Sequence, residues 1–252
     1  MSGDPQAAVI RTEGVHKRWD VPVLQGVDLE LHRGEIFGLI GPAASGKSVL
    51  MKVICGLEHP EQGQVWVDGH DITGDSERAL MQTRRKFGML FQNNALFDFM
   101  TVGDNVAFPL VRMGTVPEDE IRQRVLSRLK AVGLAGSEQK MPSELSGGMR
   151  KRVGIARATI AHPPIVIYDE PTAGLDPVTT SKIYDLLRAI QDESRATVLA
   201  ISSDIAGLRT FVERMGMIYQ GRLIYDGPEA ELDACTDPVV HQFIRGELEG
   251  PL

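Results

Sequence analysis

The chain has 252 residues, 42% hydrophobic and 24% charged, enough to bury the core of one large domain or two small ones. A formal net charge of −7 argues against a general nucleic-acid binder, which would carry a basic excess. Its two cysteines, Cys55 and Cys235, lie far apart without partner spacing, which argues against a disulfide or metal framework and for a reducing compartment.

The opening MSGDPQAAV places an acid and a proline where a secretory leader needs a basic end and an apolar run. No segment approaches the roughly 18 apolar residues that span a bilayer. The expectation is a soluble, cytosolic chain whose membrane role, if any, is borrowed from a partner. In chain order, alternation and β-branched residues predict strands at 7–13, 27–31 and 35–40, and helical spacing follows at 46–57. Strands at 64–68 and 86–91 precede three helices at 101–113, 117–133 and 147–161. In 117–133, Ile121, Val125, Leu129 and Val132 share one face, and Pro117 with Glu118, Asp119 and Glu120 suits a helix start. A strand at 164–168, a helix at 177–193, a strand at 197–202 and a helix at 204–213 come next. Strands at 215–219 and 222–226 and a helix at 236–245 complete the set. The stretch 93–160 has almost no strand signal while both flanks do, so an α/β core interrupted by a helical insertion is expected.

GPAASGKS, Gly41 to Ser48, fits G-x-x-x-x-G-K-[ST] between the strand run EIFGLI and the helix run VLMKVICGL. In that setting backbone N–H groups point at phosphates, Lys47 reaches the β and γ oxygens, and the Ser48 hydroxyl ligates Mg²⁺. PIVIYDEP describes a buried parallel strand delivering Asp169 to its C-terminal end, where ligands bind in open α/β sheets. There Asp169 holds Mg²⁺ through water, and Glu170, one residue on, polarises an attacking water. In SELSGGMRKRVGIARA, Ser146, Gly147 and Gly148 open a helix whose first turn offers free N–H groups; alone, this reads as an ordinary N-cap.

The order of phosphate loop, Gln92, LSGG, DEP and LDP over about 8–235 resembles the ATP-binding cassette (ABC) ATPases. The resemblance implies an α/β fold with a RecA-like P-loop NTPase core, an antiparallel β layer and a helical subdomain insertion. The corresponding division is 1–92 and 161–235 for the core, 93–160 for the helical subdomain and 236–252 for a tail. It also implies a homodimer in which each ATP lies between one subunit's loop, Gly41, Pro42, Ala43, Ala44, Ser45, Gly46, Lys47, Ser48 and Val49, and the other's Ser146, Gly147 and Gly148. Gln92 corresponds to the residue that meets Mg²⁺ and the water, Asp176 to the acid that crosses the interface, and Trp19 to the aromatic that stacks on adenine.

Three positions depart from the pattern. Ala44 replaces a usual loop glycine, which is tolerable if its φ stays negative. Val49 lacks the second hydroxyl, so one contact to the α-phosphate is expected to be missing. Ser203, in LAISSDI, stands where a histidine touches the γ-phosphate, and slow hydrolysis that still depends on Glu170 is expected.

A single cassette without a membrane span fits the motor of a multi-chain transporter. FQNNALFDFMTVGDNVAFPL is expected to expose Leu96, Phe97, Phe99 and Met100 to the permease. GKSVL, that segment, ELSGGMRKRVGIARA and the ending DPVVHQFIRGELEGPL resemble the Mla-type, Mce-associated phospholipid transport branch. That branch implies an Mla-type permease, an Mce-domain lipid carrier, possible company from a STAS-domain protein, and a place on the cytoplasmic face of the inner membrane, with no nucleic acid. A polar-solute importer motor and a nucleotide-gated scaffold with little turnover stand as alternatives.

Overall fold

The computed structural model describes residues 8–252, so the reading of the first seven residues and the predicted strand start at 7 lie outside the described residues. The chain runs β1 (Ala8–Arg18), β2 (Pro22–His32), β3 (Ile36–Ile40), α1 (Lys47–Ile54), β4 (Gln62–Val67), β5 (His70–Asp71), α2 (Glu77–Arg84) and β6 (Phe87–Leu90). Three helices follow, α3 (Val102–Met113), α4 (Glu118–Ala131) and α5 (Gly147–Thr159). The remainder is β7 (Ile165–Asp169), α6 (Pro177–Ser194), β8 (Thr197–Ile201), α7 (Ile205–Arg209), β9 (Arg214–Tyr219), β10 (Arg222–Pro228) and α8 (Pro238–Arg245).

The strands form two sheets. An antiparallel one has the order β2-β1-β4-β5, and a six-stranded one has the order β10-β9-β3-β8-β7-β6, parallel except for β10. Every residue of β3, β7 and β8 is buried, as befits parallel strands covered on both faces. Their side chains alternate between two cores. Phe37, Leu39, Ile165, Ile167, Leu199 and Ile201 pack toward α1 and the antiparallel sheet, while Ile36, Ile40, Val166, Tyr168, Val198 and Ala200 pack toward the helices. This is a RecA-like P-loop fold with an antiparallel layer, as expected.

The strand order matters for chemistry. β8 lies between β3 and β7, so the turns leaving all three emerge side by side at the sheet's C-terminal edge. Those turns carry Gly41–Ser48, Ser203 and Glu170.

Two elements were not legible. Helix α2 buries only Leu80 and Thr83, too sparse an apolar stripe to signal itself; it is fixed by the Ser76 cap and by Arg84, which bonds Glu77 and the Gly56 carbonyl. The two-residue β5 is shorter than any periodicity can show. Helix α7 also stops at Arg209, short of the predicted 213, because turns at Thr210–Val212 bring the chain round into β9.

Candidate functional site

The phosphate-loop sequence forms a tight turn between β3 and α1. Gly41 has φ 145°, and a Cβ there would lie 2.1 Å from the Ile218 carbonyl oxygen, so only glycine fits. Gly46 has φ 114° and would place a Cβ 2.9 Å from the Val23 carbonyl oxygen. Ala44 overturns its expectation: its φ is +58°, a left-handed conformation that costs an alanine about 1–2 kcal/mol. The turn dictates that geometry whichever residue occupies it.

The start of α1 has no side-chain cap, leaving its first N–H groups open toward the loop. The Ser45 hydroxyl is buried with no partner within the protein, an orphan donor in the same cradle. Lys47 Nζ bridges the Gly41 and Pro42 carbonyls at 2.7 Å each. Burial pulls its pKa down, against the opposing pull of Glu170 and Asp169. Together these features suit a polyphosphate. A cavity of about 540 Å³ adjoins the loop, lined by Gly46, Ser48, Val49 and, at its rim, the half-exposed Trp19.

At the end of β7, Asp169 is buried, and burial first, then the Glu170 charge, raises its pKa, with Lys151 and Lys47 opposing. Glu170 leaves the strand with φ +50° and its N–H donating to the Ile201 carbonyl at 2.8 Å. Ser203, just past β8, donates to Glu170 Oε2 from its hydroxyl (2.9 Å) and its backbone N–H (3.1 Å). Gln92 is exposed two residues beyond β6, the neighbour of β7.

The helix start at Ser146–Gly148 does not join this cluster within one chain. Ser146 caps α5 through the Met149 N–H, and the two glycines face Leu175 and Thr179, next to Asp176, which caps α6 through the Thr179 N–H. Ser146, Gly147 and Asp176 are exposed on the surface.

Sequence reasoning missed three organising side chains. Lys151 of α5 is 4% exposed and donates to the carbonyls of Gln92 and Glu170. Arg157, lower on the same helix, donates to the Asn94 and Ala95 carbonyls. Asn105 is fully buried and makes four hydrogen bonds to Phe97, Met100 and Thr101. Charged residues on a helix read as solvated from sequence alone, and only the fold shows otherwise. Asn105 also corrects the reading of Leu96, Phe97, Phe99 and Met100: it folds the loop inward, so Phe99 is 78% exposed but the others are half-buried, Phe97 packing at a tilt against Phe108 with ring centroids 4.7 Å apart.

Among the described residues, no helix is long and apolar enough to cross a membrane, and no three His, Cys, Asp or Glu side chains gather to hold a metal.

Comparison with known proteins matches residues 24–173 to the ABC transporter family, a span holding the phosphate loop, Gln92, Ser146–Gly148, Asp169 and Glu170. The chain is 41% identical over 249 residues to the probable ribonucleotide transport ATP-binding protein mkl of Mycobacterium leprae (strain TN), covering 98% of this chain and 72% of that one. It is 43% identical over 226 residues to the methionine import ATP-binding protein MetN of Carboxydothermus hydrogenoformans, covering 89% and 67%. It is 38% identical over 236 residues to the intermembrane phospholipid transport system ATP-binding protein MlaF of Haemophilus influenzae, covering 94% and 89%. Among solved structures, the dimeric post-hydrolysis state of the ATP-binding cassette MJ0796 bound to ADP and Pi superposes with a TM-score of 0.81 at 32% identity, covering 87% of this chain and 98% of that one. The chain belongs to the ABC transporter family, as an ATP-binding subunit that hydrolyses ATP.

Proposed function

We propose that two copies of the chain clamp ATP at a shared seam, and that closure drives a membrane permease moving phospholipid between an inner and an outer membrane. The observation that carries the clamp is the separation just described: one chain presents a phosphate cradle at one place and an exposed, glycine-opened helix start at another. A second copy, turned head to tail, brings Ser146, Gly147 and Gly148 to the phosphates held by Gly41–Val49, and brings Asp176 to the seam. The dimeric, ADP-bound MJ0796 cassette supports this arrangement.

Within each half-site, Lys47 and the open N–H groups of α1 hold the β- and γ-phosphates, and Trp19 covers the base. Val49 offers no hydroxyl to the α-phosphate; its side chain packs into the core instead. Mg²⁺ fits as a guest of the nucleotide: no three His, Cys, Asp or Glu side chains gather among the described residues, and Ser48, Asp169 and Gln92 would give such an ion the one carboxylate it takes beside substrate phosphates. When bound it would neutralise the negative charge that builds on the phosphates during transfer. Glu170 accepts the hydrogen bond of the attacking water, and Ser203 orients Glu170.

Membrane coupling is assigned to the groove of about 450 Å³ between β6, α3 and α5, lined by Met89, Phe91, Phe97, Phe108 and Arg157. The Phe99 side chain stands exposed on the adjoining loop. For the cargo, the Haemophilus influenzae relative, named for intermembrane phospholipid transport, supports phospholipid. On this proposal the chain sits on the cytoplasmic face of an inner membrane beneath an Mla-type permease, with a periplasmic Mce-domain carrier and a STAS-domain protein as the further companions to look for. The relatives named for ribonucleotide transport and methionine import support the alternative of a polar solute. Affinity purification from membranes tests the choice: copurified permease and phospholipid are expected, and a lipid-free complex with a soluble-substrate receptor overturns it.

A second reading, a nucleotide-gated scaffold with little turnover, is favoured by one observation, the Ser203 hydroxyl committed to Glu170. Turnover of the assembled complex against its Glu170→Gln variant decides. Activity that Glu170→Gln abolishes identifies a motor, and activity indistinguishable from Glu170→Gln identifies a scaffold.

A further inference from the structure

The geometry points to Lys151 as a positioning residue for ATP hydrolysis, one that ties the Gln92 backbone to the Glu170 backbone and so registers α5 against the reacting centre. The inference rests on the reading of Glu170 as the group that polarises the attacking water.

Lys151 sits in the second turn of α5 and is 4% exposed. Its Nζ lies 2.7 Å from the Gln92 carbonyl oxygen and 2.7 Å from the Glu170 carbonyl oxygen. Those carbonyls belong to the segments that leave two adjacent strands, β6 and β7, paired Leu90 to Tyr168. A single ammonium therefore spans the ends of both strands and the helix that begins at Ser146. Burying an ammonium is costly unless it is paired and hydrogen-bonded. Here two carbonyls accept from it, and the charges of Asp169 and Glu170 oppose the burial that draws its pKa down.

Glu170 needs such a grip. Its φ of +50° is the left-handed conformation that non-glycine residues avoid, at a cost of about 1–2 kcal/mol. Four attachments hold it there: its N–H on the Ile201 carbonyl, its carbonyl under both Lys151 (2.7 Å) and the more distant Ala173 N–H (3.3 Å), and its carboxylate under Ser203. Lys151 alone among these comes from α5. Arg157, from the same helix, secures the neighbouring left-handed pair Asn94 (φ 59°) and Ala95 (φ 47°) by their carbonyls but does not reach Glu170. Arg157 thus moves the Gln92–Ala95 segment with α5, and Lys151 passes that registration to the hydrolysis site. Freed from Lys151, the Glu170 carbonyl keeps only the longer bond from the Ala173 N–H, and the peptide can rotate toward an unstrained φ and carry the carboxylate off line.

The test uses the full chain with Mg·ATP, assembled with its permease where the chain alone turns over too slowly to measure. Lys151→Met keeps the side chain's length and removes the donor. Its kcat is expected to fall at least about 10-fold, a misplacement penalty, with KM for ATP within about two-fold of the parent. Lys151→Arg, which keeps a charged donor for the two carbonyls, is expected to restore kcat to within about three-fold of the parent. That rescue with a split between kcat and KM is what a merely structural role would not give. Melting curves check folding, and Lys151→Ala takes the place of Lys151→Met should the latter not fold. A parental kcat in Lys151→Met, a loss expressed in KM alone, or a Lys151→Arg as slow as Lys151→Met overturns the inference. Glu170→Gln, measured alongside, separates the two readings. If Glu170→Gln keeps turning over, the role given to Glu170 fails; if it is inactive while Lys151→Met is not, only the positioning role fails.

Discussion

Ser203 and Glu170 are joined twice through a single carboxylate oxygen: Oε2 accepts the Ser203 hydroxyl at 2.9 Å and the Ser203 backbone N–H at 3.1 Å. The backbone bond does not depend on the side chain, whereas the hydroxyl bond spends the residue's only side-chain donor on Glu170. A longer donor at this position could keep the first bond and free a group for the γ-phosphate. Ser203→His is therefore expected to raise kcat by at least about 10-fold, with the roughly 10²–10³-fold that one transition-state donor contributes as the ceiling. Steady-state turnover with saturating Mg·ATP checks this. An unchanged or lower kcat means that Ser203 is not what slows hydrolysis.

Ala44 gives a stability prediction of opposite character to most loop changes. Its φ of +58° strains an alanine and suits a glycine, while glycine's extra freedom in the unfolded chain takes back part of the gain. Ala44→Gly is expected to stabilise by up to about 1 kcal/mol, or about 2–4 °C in Tm for a chain of this size. Its neighbour Ala43 is not in the left-handed region, so Ala43→Gly is expected to lower Tm. Thermal melts of the two variants should move in opposite directions, and movement in the same direction would rule the strain argument out.

These two residues mark where sequence reading stops. The phosphate loop, the strand ending in Asp169 and Glu170, and the glycine-opened helix were legible because each needs fixed residue types at fixed spacing. The apolar runs of β3, β7 and β8 were equally plain, since both faces of those strands are covered. The sign of φ at Ala44 was not legible, because the turn, closed by Gly41 against the Ile218 carbonyl, sets it rather than the alanine. Nor were the bonds of Lys151 and Arg157, whose carbonyl partners lie between 19 and 63 residues away. Leu96, Phe97 and Met100 looked exposed because nothing local announces that Asn105 turns its four hydrogen bonds onto their loop.

The two thiols should behave very differently. Cys55 is 1% exposed, and burial pushes its pKa up to about 12 against the opposing charge of Arg84. At pH 8 only about one Cys55 in 10⁴ is thiolate, the reactive form, and the reagent has no path to it. Cys235 is partly exposed. A disulfide reagent at pH 8 is expected to titrate one thiol per native chain rapidly and the second only on denaturation. Two fast thiols would show that the core around α1 opens far more readily than its packing implies.

Asp68 offers the cleanest pH dependence. Its carboxylate meets Lys86 at 2.9 Å and Arg33 at 2.6 Å, linking the start of β6 to the β2–β3 turn. The Lys86 hydrogen bond first, with Arg33 assisting against partial desolvation, holds its pKa below the ordinary 3.8. With the folded value depressed, the unfolded chain binds more protons between the two values, so stability rises with pH across that window. The contribution is complete above 3.8 and disappears as pH falls through the folded value. Asp68 has φ +54°, which asparagine adopts readily, so Asp68→Asn removes the charge without straining the turn. The carboxylate is 36% exposed and solvent-screened, so a loss of less than about 1 kcal/mol is expected at neutral pH, or less than about 4 °C in Tm. Melts at low salt should show that gap at neutral pH, narrowing in acid and shrinking in about 1 M salt, where the screening length falls to about 3 Å. A gap that persists in both conditions would mean that Asp68 acts through its shape and not its charge.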